Sequence, residues 1–162
     1  MNIKQFETNL VNVKRLTPTI YKKTMQLSIP FFILHKKIYE KGNNLISNEF
    51  NLNQSELDVL SALYYMGEND FMMSPTKLYD VMLFSSGGMT KLLKKLENRN
   101  FIKQIENTID KRSNMVQITD LGIEIMTKAL KGIVSFENEY FSKLNLKEQE
   151  IFRELLYKML NE

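Results

Sequence analysis

Apolar residues recur every three or four positions along most of this chain, and the rhythm changes to alternation only after Phe101. Ile3, Phe6, Leu10 and Val13 predict a short amphipathic helix up to Leu16. Thr17 and Pro18 have the form of an N-cap followed by Pro at the first helical position, opening a second short segment. Pro30 resets the chain, and Ser28 can cap a helix that runs through PFFILHKKIYE to about Gly42 or a little beyond. In LNQSELDVLSALYYMG, Asn53 and Glu56 form a capping-box pattern. Leu57, Leu60, Ala62 and Tyr64 continue an apolar face, and Gly67 is a C-terminal stop. Ser74 and Pro75 start a short helix, PTKLYDVM. Ser85 opens a third, SGGMTKLLKKLENR, with Met89, Leu92, Leu93 and Leu96 as its buried stripe and Thr90, Lys91, Lys94 and Lys95 pointing elsewhere. Asn100 stands at its end, where a left-handed conformation suits Gly or Asn best.

Ile102 and Ile105 then begin a strand, NTIDKRSN is a polar, basic-tipped turn, and Met115, Val116 and Ile118 form an antiparallel partner. Thr119 caps a long helix and LKEQEIFRELLYKMLN forms the last one. The predicted fold is mostly α with a small β-hairpin, and three short helices followed by a hairpin are the parts of a winged helix-turn-helix. Residues 1–27 read as a basic N-terminal extension and 28–162 as a single domain.

Composition narrows the chemistry. Of the 162 residues, 43% are hydrophobic and 25% charged, the balance of an ordinary globular domain, and only six Gly and three Pro interrupt it. The absence of Cys excludes disulfides, thiolate metal sites and cysteine nucleophiles. With His35 as the single histidine, no triad or histidine zinc site is supported, so neither an enzyme nor a metal or cofactor protein is expected. No apolar run approaches the roughly 18 residues that span a bilayer, and MNIKQFETNL lacks the apolar core of a secretory signal, which predicts a cytoplasmic protein.

The net charge of +3 is unevenly spread. Residues 1–41 carry eight Lys or Arg against two Glu, and 42–84 carry Lys77 against six acids. Residues 85–118 carry seven basic groups against three acids, and this second basic block falls on the third helix and the hairpin. At the start of that helix Ser85, Ser86, Gly87, Thr90 and Lys91 are small or hydroxyl-bearing residues that can approach base edges closely, while Lys94 and Lys95 can reach phosphates. Ser74, Thr76 and Lys77 on the preceding helix join the candidates, as do Asp110, Lys111, Arg112 and Ser113 at the hairpin tip.

SSGGMTKLLKKLENRNFIKQ followed by IDKRSNMVQITDLG resembles the MarR (multiple antibiotic resistance regulator) family of transcription factors in its recognition helix, its D-x-R-S wing and its exit from strand to helix. The resemblance covers roughly residues 28–160 and departs from the family pattern where Asn100 replaces the usual Gly. It implies a homodimer reading a pseudo-palindromic operator, with the winged helix-turn-helix at about 53–118 and dimerisation helices at about 28–46 and 119–161. It implies that Asp110 braces Arg112 as the guanidinium enters the minor groove. It also implies an aromatic or lipophilic effector bound near Phe31, Phe32, His35, Tyr39 and Tyr65, although the same helical spacing suits a plain core and His35 an ordinary structural histidine.

The apolar residues Phe136, Tyr140, Phe141, Ile151, Phe152, Leu155, Leu156 and Met159 exceed what a small monomer buries easily, which independently favours a dimer. The leading reading is a sequence-specific, dimeric transcriptional regulator, a repressor relieved by a small molecule. An architectural or protein-binding winged helix is the alternative.

Overall fold

The computed structural model describes residues 3–68, 70–82, 86–105 and 114–161. Two compact units make up the chain, residues 1–41 and 42–162. In the first, α1 (Ile3–Leu16) ends at Thr17, whose N–H and hydroxyl both donate to the Val13 carbonyl at 2.9 Å. Thr17 thus closes α1, and the segment expected after Pro18 is a single turn in which the Ile20 and Tyr21 amides return to the Thr17 carbonyl.

The next helix, α2 (Met25–Phe50), starts earlier and ends later than its sequence suggests. Pro30 lies inside it rather than at its start. Near a helix N-terminus a proline forfeits one backbone bond, here to Gln26, and Pro30 is exposed, where its ring is tolerated. Gly42 and the asparagines after it stay helical because Leu45, Ile46 and Phe50 are drawn into the core of the second unit, with Ile46 completely buried. Packing overrides their weak propensity.

In the second unit, α3 (Gln54–Met66) carries the expected capping box: Asn53 Oδ1 accepts from the Glu56 amide at 2.9 Å and Glu56 Oε2 from the Asn53 amide at 2.8 Å. Gly67 ends the helix with φ −65°, so a left-handed turn is not what glycine supplies. A Cβ there would stand 2.2 Å from the Leu63 carbonyl oxygen, and close passage of backbone is the reason for glycine. β1 (Met72–Met73) is a strand that the alternation did not predict. Two residues are too few to show a period, and β1 exists through pairing with β3. After α4 (Pro75–Met82) and α5 (Ser86–Asn98) come β2 (Ile102–Ile105) and β3 (Met115–Ile118), and the antiparallel sheet has the order β1-β3-β2. Ile102 pairs with Ile118 and Ile105 with Met115, as the hairpin reading requires.

Two further helices, α6 (Asp120–Phe141) and α7 (Leu146–Leu160), complete the chain. The core of the unit gathers Leu57, Leu60 and Leu63 of α3, Leu78 of α4, Met89, Leu93 and Leu96 of α5, Val116 and Ile118 of β3, and Met126 and Ala129 of α6.

The end of α5 is joined directly to the start of α6. Asn100, with φ 57°, turns the chain left-handed while the Phe101 amide returns to the Leu96 carbonyl at 3.0 Å and the Asn100 amide to Glu97 at 2.8 Å, a Schellman closure. Thr119 accepts from the Gly122 amide at 3.0 Å to cap α6 and donates to the Asn100 carbonyl at 2.7 Å. Backbones approach so closely here that a Cβ on Gly122 would lie 2.1 Å from the Phe101 carbonyl oxygen. Gly122→Ala is therefore expected to destabilise the protein by about 1–3 kcal/mol through overpacking, read as a lower urea midpoint.

Candidate nucleic-acid interface

Helix α5 divides cleanly by face. Met89, Leu93 and Leu96 are buried, Leu92 is half-buried, and Gly88, Thr90, Lys91 and Lys94 are exposed. Ser86 and Gly87 form its first turn. Ser85 precedes the helix outside the described residues, and so do Asp110, Lys111, Arg112 and Ser113 at the hairpin tip. The strands carrying that tip are tied to α5 by exposed polar side chains: Gln104 donates to Glu97 at 3.2 Å and accepts from Asn114 at 3.2 Å.

On α4 the hydroxyl of Ser74 accepts from the Lys77 amide at 3.2 Å and so serves as the cap, while Thr76 is exposed. Lys77 Nζ donates to Glu68 Oε1 at 2.6 Å. That hydrogen bond and the charge of Lys77 hold the Glu68 carboxyl below its ordinary range.

Lys95 is the candidate whose surroundings differ most from its sequence context. Its Nζ stands 2.9 Å from Oε1 of Glu56, a carboxylate buried completely. Arg99 Nη1 lies 3.6 Å from the same oxygen and donates to the Asn51 carbonyl at 2.8 Å. Nη2 reaches the Phe50 carbonyl at 3.3 Å, and the guanidinium lies 4.5 Å over the ring of Phe101. Neither Glu56 nor Arg99 stood among the sequence candidates. The available signal was an acid set among Leu57, Val59 and Leu60, with two cations four residues apart at the end of another helix, and only the fold shows that they meet.

The aromatic candidates are not core within the single chain. Phe31, Phe32 and Tyr39 are exposed, Phe32 to 65%, with Phe31 edge-on to Phe32 and His35 stacked on Tyr39 at 5.8 Å between ring centroids. These four lie in the first unit and Tyr65 in the second. Tyr65 lines an open concavity of about 400 Å³ with Asp58, Met66 and Met82. Burial raises the Asp58 carboxyl above its ordinary value, opposed by a hydrogen bond from Gln54 at 2.8 Å. Among the described residues no cluster of acids and histidine could hold a metal ion, and no helix is long and apolar enough to cross a membrane.

A family model for the transcriptional regulators SarA/Rot matches residues 41–129. The transcriptional regulator SarZ of Staphylococcus aureus is 29% identical over 126 residues, covering 77% of this chain and 78% of SarZ. Among solved structures, YusO of Bacillus subtilis superposes with a TM-score of 0.71 at 20% identity, over 85% of this chain and 94% of YusO. A mutant MarR of E. coli in complex with operator DNA does so with a TM-score of 0.63 at 21% identity, over 86% and 99%. Similarity at that level establishes the MarR-type winged-helix fold.

Proposed function

Because the chain belongs to the SarA/Rot family of transcriptional regulators, and so to a DNA-binding, non-enzymatic group, we propose that it is a sequence-specific, dimeric repressor acting in the cytoplasm, with α5 in the major groove and the β2–β3 wing at the adjacent minor groove. The observation that carries this reading is the division of α5, whose apolar stripe is buried while Thr90, Lys91 and Lys94 remain exposed. Helix N-terminal residues of this kind meet base edges, and lysines one turn later meet phosphates. Ser85, Ser86 and Gly87 extend the proposed base-reading set, and Ser74, Thr76 and Lys77 are proposed to meet the DNA backbone. At the wing, Arg112 braced by Asp110 enters the minor groove, flanked by Lys111 and Ser113.

Dimerisation is supported by α7, which has no buried residue in the single chain and exposes Leu146, Ile151, Leu155, Tyr157, Met159 and Leu160. Relief by a small aromatic or lipophilic effector completes the proposal. Tyr65 and the apolar wall of its concavity supply a surface for a ring, and Asp58 beside them favours a neutral or cationic ligand over a carboxylate.

Selection of bound sites from random duplex DNA tests the reading. A pseudo-palindromic motif is expected, with binding that weakens steeply as salt rises. Thr90→Ala and Ser86→Ala should change which sequence is preferred, whereas Lys94→Ala should weaken all duplexes alike. Arg112→Ala should lower operator affinity by on the order of 1–3 kcal/mol with an unchanged unfolding midpoint. Failure to enrich any motif would overturn the assignment in favour of a protein-binding winged helix.

A further inference from the structure

We infer that Glu56 is a positioning residue for the recognition helix, setting the rotation of α5 through Lys95 and Arg99, and that Lys95 serves this placement rather than a phosphate. The inference rests on α5 being the helix that reads DNA.

The chain contains its own control for the role of Glu56. At the start of α7, Glu148 completes the same capping box, its Oε2 accepting from the Asn145 amide at 2.8 Å, and it remains exposed. A capping glutamate therefore needs no burial. Glu56 is buried completely, and its second oxygen, which the cap does not use, makes no hydrogen bond of good geometry. Burying a carboxylate is costly unless charge compensates it. Beyond the cap bond from the Asn53 amide, the charge compensation among the described residues comes from Lys95 on α5 at 2.9 Å and from Arg99, the residue that follows the helix, at 3.6 Å. Positions four apart share one face of a helix, and a rotation by one residue, about 100°, would carry both cations away from the carboxylate.

Apolar docking alone specifies rotation less sharply, because Met89 is adaptable and a stripe of leucines tolerates small slips. Arg99 adds a second constraint by donating to the Phe50 and Asn51 carbonyls where α2 ends. The rotation so fixed decides which side chains of Thr90, Lys91 and Lys94 face the groove. Lys94 is exposed and makes no ion pair among the described residues, while the neighbouring ammonium of Lys95 is turned to Glu56.

Salt dependence separates the two lysines. Affinities of the full chain for its selected site and for an unrelated duplex of equal length are measured across a range of KCl concentrations, with urea midpoints for each variant. Lys94→Gln should lower the slope of log affinity against log salt by about one on both duplexes. Lys95→Gln should leave the slope unchanged and reduce preference for the selected site roughly tenfold, with Lys95→Arg restoring it. Glu56→Gln retains an oxygen for the cap and should match Lys95→Gln in both respects, the double variant losing no more than either alone. Should Glu56→Gln fail to fold, the half-exposed Lys95 carries the comparison by itself. A slope reduced by about one in Lys95→Gln, or a folded Glu56→Gln with full preference, would overturn the inference. If the unaltered protein prefers no sequence, the DNA-reading assignment falls instead, and amide hydrogen exchange decides the placement: faster exchange across α5 in Glu56→Gln supports it and unchanged exchange overturns it.

Discussion

A chain ending at Leu144, and so lacking α7, is expected to sediment as a monomer and to bind its operator roughly 10²- to 10⁴-fold more weakly than the full protein. Nothing in α7 is buried within the single chain, and none of its residues belongs to the core of the second unit. Removing it therefore spares the winged helix. Leu146 is 85% exposed and Met159 80%, with Ile151, Leu155 and Leu160 between and beyond them, an apolar face that water disfavours and a second copy can cover. In the proposed dimer, two winged helices held about 34 Å apart, one turn of DNA, would engage both halves of a palindrome together. Once separated, each has only its own phosphate and base contacts. Sedimentation velocity and operator titration of the shortened chain give the two readings, and a stable dimer without α7 would place the interface elsewhere.

Leu96→Ala is expected to lower stability by about 3–5 kcal/mol, with the urea midpoint falling and the slope of the transition retained. Leu96 is completely buried on α5, and its carbonyl accepts from the Phe101 and Arg99 amides at the helix end. Truncation removes transfer energy and leaves a cavity where the surrounding backbone is pinned by the contacts of Asn100, Thr119 and Gly122 and so cannot collapse. Against a total of roughly 5–15 kcal/mol for a domain, the loss is large. DNA binding by the folded fraction should change little, because Leu96 faces away from the exposed lysines. A loss below about 1 kcal/mol would show that α5 is not docked by this residue.

What local chemistry dictates was legible in advance. The Asn53–Glu56 box, the Ser74 cap, the left-handed Asn100, the Thr119 cap and the β2–β3 pairing all join residues close in sequence, and each appears where residue type demands it. The buried stripe of α5 followed from its period, and the family from the order of recognition helix, wing and exit helix. Less legible was anything whose cause lies in a distant partner. Asp70 and Phe71 adopt φ of 58° and 61° without glycine, in a turn where Phe71 stacks on Tyr64 at 4.9 Å between centroids and Gln117 donates to the Asp70 carbonyl.

The sequence by itself determined the type of nearly every element and the inward faces of α3 and α5, because period and capping are properties of three to five consecutive residues. Tertiary structure decided the continuation of α2 past Gly42, the existence of β1, the burial of Glu56 and the direction of Lys95. Each of these has its energy in contacts between segments far apart along the chain. A lysine on a basic helix and a glutamate in a capping box look like surface groups until packing places one against the other, where the cost of a buried charge selects a single arrangement.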